Sequence, residues 1–196
     1  MFIPVHQAFD LTATLQSGQT FRWIRDGEWY IGVVFGNIVR VRQRLGGLQF
    51  FSAPDDERGI ENPLRDYLGL QHDLDAIYAS IGMDEHVKAA VNRYQGLRIL
   101  RQDPWECLVS FICSSASNIP RICRNVEDIC SSFGHPIRLG DHVRHTFPSP
   151  RELAEVGEKR LRKLKLGYRA GYLAAVAKVI ADGEIDLIAL REDSYE

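Results

Sequence analysis

Apolar and polar positions alternate with period two through the first quarter of the chain. Phe21 and Trp23 flank Arg22; Trp29, Ile31, Val33 and Phe35 alternate with Tyr30, Gly32 and Val34; Val39 and Val41 alternate with Arg40 and Arg42. The pairs Asp26-Gly27, Gly36-Asn37 and Gly46-Gly47 interrupt this run at even spacing, which is a hairpin signal. Residues 9–52 therefore predict an antiparallel meander with one face covered. From about residue 62 the period changes. Asn62-Pro63 reads as a helix start with proline in its first turn, and residues 84–95 predict a second helix. Asp103-Pro104 reads as an N-cap and first turn, followed by Trp105, Leu108, Val109 and Ile112 at helical spacing. Ile122, Val126, Ile129 and Phe133 repeat the stripe and end at Gly134, a C-cap signal. Ser149-Pro150 opens a short helix, and Tyr172, Val176, Val179 and Ile180 mark a final one. Strands followed only by helices are the α+β pattern. The expected organisation is an antiparallel sheet domain over residues 1–97 and a helical domain over residues 98–196.

Composition narrows the class. A chain of 196 residues, 45% apolar, buries a core without metal or disulfide staples. No stretch approaches the roughly 20 apolar residues of a membrane helix. Met1 to Gln7 shows neither a basic leader nor a cleavage site, so a cytoplasmic location is expected. Cys107, Cys113, Cys123 and Cys130 form no CxxC pair, and the six histidines form no HExxH spacing. The four cysteines read as buried reduced thiols; no metal is expected. Charge is uneven beneath a net of −2: residues 98–178 carry 14 basic and 8 acidic side chains, against 9 and 12 in residues 1–97. The run Lys159 to Lys165 reads either as a solvated helix face or as a cationic face for a phosphate backbone. Asp193-Ser194-Tyr195-Glu196 reads as the first turn of a new helix, so the expectation is a chain cut short.

Three segments carry candidate chemistry. In Leu15-Gln-Ser-Gly-Gln-Thr-Phe-Arg-Trp23, Gly18 allows close backbone approach to a ligand, or simply makes a turn. In residues 102–121 an apolar helix breaks into small polar residues and restarts at Asn118, with Arg121 in the new first turn. A slim polar loop beside a helix N-terminus meets phosphate well, and equally serves as a plain connection. In Leu166-Gly-Tyr-Arg-Ala170, an aromatic and an arginine at a turn suit stacking on a base and bonding to its edge, or local packing.

Taken together, the stretches LQSGQTFRW, DPWECLVSFICSS…NIPRI and LGYRA make the chain resemble the 8-oxoguanine DNA glycosylases of the helix-hairpin-helix superfamily, from about residue 9 onward. The resemblance implies an antiparallel sheet domain followed by the leading helices of an all-α glycosylase domain. It implies base excision and abasic-site lyase activity in the parent protein, on duplex DNA holding 8-oxoguanine opposite cytosine, without a cofactor. It implies that the Gly18 carbonyl accepts the N7–H that distinguishes 8-oxoguanine from guanine. Arg121 reads the orphaned cytosine; Tyr168 and Arg169 wedge at the vacated step and contact the same cytosine; Ala116, Ser117 and Asn118 fill the gap.

Two departures stand out. The family loop is a run of asparagines, whereas this chain reads Ala116-Ser117-Asn118, so relaxed reading of the opposing base is expected. The hairpin motif of LPGVGxK type, with its nucleophilic lysine and catalytic aspartate, matches nothing here. Lys88, Lys159, Lys163, Lys165 and Lys178 all lie outside such a motif, so no catalytic residue is assigned in this chain. The expected behaviour is weak, salt-sensitive DNA binding without cleavage, in the nucleoid or, in a eukaryote, the nucleus. Self-association through apolar surface left bare by truncation is also expected. A naturally short damage-binding module and a plain interaction domain are the alternatives. Lesion-selective binding without cleavage marks the first, and absence of DNA affinity at low salt marks the second.

Overall fold

Three two-residue turns fold the alternating segment into a meander in the computed structural model, which describes residues 1–192, with side chains to residue 190. The elements are β1 (Phe2–Pro4), α1 (Leu11–Gln16), β2 (Ile24–Asp26), β3 (Trp29–Val34), β4 (Asn37–Arg44) and β5 (Gly47–Ala53). The sheet order is β1-β5-β4-β3-β2, antiparallel throughout. Its inner face carries Tyr30, Val34, Val39, Val41, Leu48 and Phe50, all buried, packed with Leu11, Leu15, Ile60 and Leu64.

The turns differ from the sequence expectation by one residue. The pairs Val34↔Asn37 and Arg44↔Gly47 place the loops at Phe35-Gly36 and Leu45-Gly46. Phe35 (φ 46°) and Gly36 (φ 79°) both take left-handed backbone, the geometry that matches strand twist in a tight hairpin. Asn37 is a buried strand residue instead. Its amide donates to Asp55 Oδ2 at 3.0 Å and accepts from Asp55 N at 2.9 Å, tying β4 to the segment after β5. Gly47 lies in β5, where a Cβ would strike the Ile3 carbonyl.

Residues 9–23 also differ. Leu11, Thr14 and Leu15 recur at helical spacing, and Asp10 caps them by accepting from Ala13 N at 2.8 Å, so α1 forms. Residues 20–23 are irregular rather than a strand, and Arg22 is buried. Trp23 donates to Tyr67 Oη at 2.9 Å and lies across Gly32, where a Cβ would strike the indole. Gly32→Ala is expected to displace Trp23 and cost about 1–3 kcal/mol, read as a lowered urea midpoint.

The first helix after the sheet, α2 (Glu57–Tyr67), starts six residues before the expected Pro63. Asp56 provides the cap, accepting from Arg58 N and Gly59 N, and Pro63 sits inside the helix. It is followed by α3 (Leu74–Ile81) and α4 (Glu85–Arg93). Met1–Arg101, with Arg138–Asp141, form one compact unit; Gln102–Ile137 and the residues from His142 form a second.

The second unit holds α5 (Pro104–Ser114), α6 (Ile119–Phe133), α7 (Pro150–Lys163), α8 (Arg169–Ala181) and α9 (Ala189–Glu192). A hairpin of β6 (Pro136–Leu139) and β7 (His142–His145) interrupts the helices, a pair of strands that the helical reading missed. Gly134 does cap α6, but in extended backbone (φ −88°). It is needed because a Cβ would strike the Thr146 and Cys130 carbonyls. The buried stripe of α8 is Ala170, Leu173 and Ala177 rather than Tyr172, Val176, Val179 and Ile180, and Tyr172 is 61% exposed. Small residues on the inner stripe let the helix backbone approach its neighbours closely, so size rather than hydrophobicity sets the inner face. Cys113 and Cys130 are buried as expected, while Cys107 is exposed, on the same outward stripe of α5 as Phe111. The acidic segment Asp193 to Glu196 lies outside the described residues.

The start of α7 is a capping box. Ser149 and Glu152 exchange side-chain-to-backbone bonds, and His135 Nε2 lies 2.8 Å from Glu152 Oε1. Ser149's hydroxyl and N–H, and then His135, hold the Glu152 carboxyl below its ordinary range. Because the native value is depressed, the stability it contributes is full above the unfolded range of roughly 4.3. It is lost as pH falls through the lower native value. Ser149→Ala is expected to cost about 1 kcal/mol at neutral pH, a difference that shrinks toward pH 3 in paired urea titrations.

Candidate functional site

In the first unit, the segment after α1 turns at Gly18, whose φ of 86° is accessible to glycine at little steric cost. Gln19 then fixes the turn. Its amide accepts from Leu100 N at 2.8 Å and donates to Arg98 O at 2.9 Å, as a neighbouring strand would, and it donates to Ser17 Oγ at 2.8 Å. Thr14 Oγ1 accepts from Arg98 N at 3.1 Å. The Arg98 side chain is buried behind this segment and donates to Gly69 O at 2.7 Å, His72 O at 3.0 Å and Gln7 Oε1 at 2.9 Å. Burial pulls its guanidinium below the ordinary value, and Tyr78 and Asp75 oppose that. Sequence reasoning named Gly18 and missed Gln19 and Arg98. The adjacent glutamine was the available signal for Gln19; nothing local marks Arg98.

The second unit gathers the other named residues. Helix α5 ends at Ser114, and Ser117 N donates to Ser114 O at 3.1 Å, closing the loop 115–118 on itself. Asn118 caps α6 by accepting from Arg121 N at 3.0 Å. The Arg121 side chain is exposed and, among the described residues, carries no ion pair or hydrogen bond. Ala116 takes left-handed backbone (φ 46°), a conformation that asparagine tolerates better than alanine. The Ser117 hydroxyl is buried without a hydrogen-bond partner.

Tyr168 and Arg169 meet this loop. The Tyr168 hydroxyl lies 3.2 Å from Ser115 Oγ and 3.2 Å from Ser115 O, while its ring, half exposed, meets Tyr172 edge-on at 6.0 Å. Arg169 is only 3% exposed. Its Nε donates to Ser115 O at 3.0 Å, Nη2 to Ser115 O and to Ala116 O at 3.1 Å, and Nη1 to Leu166 O at 3.3 Å. The guanidinium also lies 4.7 Å from the Tyr168 ring. Beneath it, burial pushes the Cys113 thiol up to about 11, against the Arg169 charge. The loop, the tyrosine and both arginines thus share one unit, with one cation exposed and the other turned onto the loop's carbonyls.

One unit holds a slim loop with an exposed arginine and a half-exposed tyrosine, the other an antiparallel sheet and a glycine turn, and each matches part of a DNA glycosylase family. The family model for the 8-oxoguanine DNA glycosylase N-terminal domain matches residues 2–108. The N-glycosylase/DNA lyase of Saccharomyces cerevisiae is 33% identical over 199 residues, covering 94% of this chain and 53% of that protein. The structure of MBOgg1 in complex with a low-affinity DNA ligand superposes with a TM-score of 0.91 at 35% identity, covering 98% of this chain and 66% of that one. The Clostridium acetobutylicum 8-oxoguanine glycosylase/lyase, bound to double-stranded DNA with cytosine opposite 8-oxoG, gives a TM-score of 0.88 at 28% identity, covering 99% and 69%. The chain belongs to the 8-oxoguanine DNA glycosylase family. It spans about half the length of the curated relatives it matches.

Proposed function

We propose that this chain is the damage-reading part of an 8-oxoguanine DNA glycosylase and abasic-site lyase of base excision repair, acting on duplex DNA with 8-oxoguanine opposite cytosine. The observation that carries the reading is the cluster of the 115–118 loop, Tyr168 and an exposed Arg121 in one unit. An enzyme that works on a stacked base must swing it out, fill the gap and hold the orphaned partner. In this reading the Gly18 carbonyl accepts the N7–H of the lesion. Ala116, Ser117 and Asn118 occupy the vacated step beside the Tyr168 ring. Arg121 donates to the edge of the orphaned cytosine, and the pair Tyr168-Arg169 lies at the same step.

Alanine at position 116 offers no side-chain hydrogen bond, so discrimination of the opposing base rests on Arg121 and is relaxed. Excision needs an amine to attack the sugar carbon, and none of the five lysines lies in a hairpin motif. The chain by itself therefore binds, weakly and with strong salt dependence, and does not cut. It works where DNA is held, in the nucleoid or the nucleus. Exposed Phe111, Ile119 and Tyr172 support self-association of the isolated chain, which sedimentation at increasing concentration reads.

The direct experiment pairs gel-shift binding with borohydride trapping on an 8-oxoguanine:cytosine duplex. Binding that favours the lesion, lost in Arg121→Ala, with no covalent adduct, is expected. Lesion-blind binding, or a trapped adduct on this chain, overturns the reading.

A further inference from the structure

We propose that Arg169 is a positioning residue that sets the shape of the gap-filling loop before DNA arrives. This rests on the reading above for its consequence in DNA, though not for its test in the free protein. The residue resemblance assigns to Arg169 a contact with the orphaned base, yet four of its hydrogen bonds run to the protein's own carbonyls, and the side chain is almost wholly buried. Three of the four end on Ser115 and Ala116, where helix α5 stops.

The Ser115 carbonyl, at the C-cap, is among the last of a helix, which have no partners within it, and that of Ala116 follows directly. An αL glycine commonly supplies the stop that satisfies them. Here the left-handed residue is Ala116, which resists that conformation. A planar fork bridging successive carbonyls from outside replaces the missing glycine, because it holds both peptide planes in one orientation. Tyr168 adds its hydroxyl to Ser115 from the same side. Arg121 has the opposite character: it is exposed, it has no side-chain partner among the described residues, and its own backbone N–H is already used by the Asn118 cap. The two arginines thus divide the work. Arg169 shapes the loop, and Arg121 meets the ligand.

The test compares backbone amide exchange in the DNA-free full chain for wild type, Arg169→Ala, Arg169→Lys, Arg121→Ala and the double variant Arg169→Lys/Ala116→Asn. Arg169→Ala is expected to speed exchange of residues 114–119 by about tenfold or more while the rest of α6 keeps its protection. Arg169→Lys, a point donor, is expected to loosen the same amides. Adding Ala116→Asn, which tolerates left-handed backbone, is expected to slow them again. A solely global stabilising role predicts uniform acceleration and no rescue at position 116. Unchanged loop exchange in both Arg169 variants overturns the proposal, and so does uniform acceleration. Arg121→Ala serves as the separate arm: it leaves loop exchange unchanged and lowers affinity for the lesion duplex. If loop exchange responds as expected but Arg121→Ala binds DNA as wild type does, the positioning role stands and the DNA reading fails. If Arg121→Ala loses DNA and the Arg169 variants leave exchange unchanged, the reverse holds.

Discussion

Arg98→Met is expected to destabilise the first unit by about 3–5 kcal/mol, which makes it the most damaging single change named here. The methionine fills much of the arginine's volume, so the loss is one of hydrogen bonds rather than packing. Three acceptors, Gly69 O, His72 O and Gln7 Oε1, lose a charged donor at once. Each charge-assisted bond contributes roughly 1.5–3 kcal/mol, and a buried acceptor left alone costs a comparable amount. The damage also spreads, because the backbone of residues 98–100 is the ledge on which Gln19 holds the Gly18 turn. Arg98→Lys keeps a cation without the fork and should fall between the two. Urea titration checks this in a Trp105→Phe background, where Trp23 and Trp29 report the first unit alone. A midpoint shift of about 1–3 M is expected from ordinary urea slopes. A shift below about 0.3 M contradicts the argument.

Gly18→Ala is expected to act in two separable ways. Alanine at a φ of 86° costs about 1–2 kcal/mol of backbone strain, visible as a modest drop in the same urea midpoint. The second effect is on recognition. The distinction between 8-oxoguanine and guanine rests, in the proposed reading, on one carbonyl accepting one N–H. A relaxed turn re-aims that carbonyl, and an N–H left unmet loses up to about 1.5 kcal/mol, roughly tenfold in preference. Competition binding with 8-oxoguanine and guanine duplexes reads it directly. Lowered stability with an unchanged preference removes Gly18 from the recognition scheme and leaves it a structural turn.

Legibility in the sequence was uneven for physical reasons. Side chains alternate across a strand with period two, so the central strands of the sheet and the inward Val39 and Val41 were written into residues 29–51, whereas in β3 Tyr30 and Val34, not Trp29 and Phe35, join the core. The turn positions slipped by one because Gly36-Asn37 and Phe35-Gly36 compete as turn pairs. The choice falls on the pair that lets Asn37 bond Asp55, eighteen residues away. Helix α2 began earlier than Pro63 announced because Asp56 caps it, and a capping aspartate is locally indistinguishable from any other loop aspartate. The stripe of α8 was misread because alanine is a weak hydrophobic signal and a strong packing one. Tyr172 therefore looked like core and is surface.

The motifs around Gly18, Ala116 and Tyr168 were recognisable as residue strings, since a polar loop, a glycine before a strand and an aromatic-arginine turn are local patterns. Local sequence also determined α5 and its capped start, and the cap at Asn118 with Arg121 in the first turn of α6. What only the tertiary structure decided is how the two arginines differ. Arg121 and Arg169 are the same residue type, each near the start of a helix. Helix α8 brings Arg169 under carbonyls more than fifty positions earlier, while Arg121 stays exposed. Hydrogen-bond geometry across that separation is set by the packing of helices, and no pattern within a few residues of either arginine encodes it.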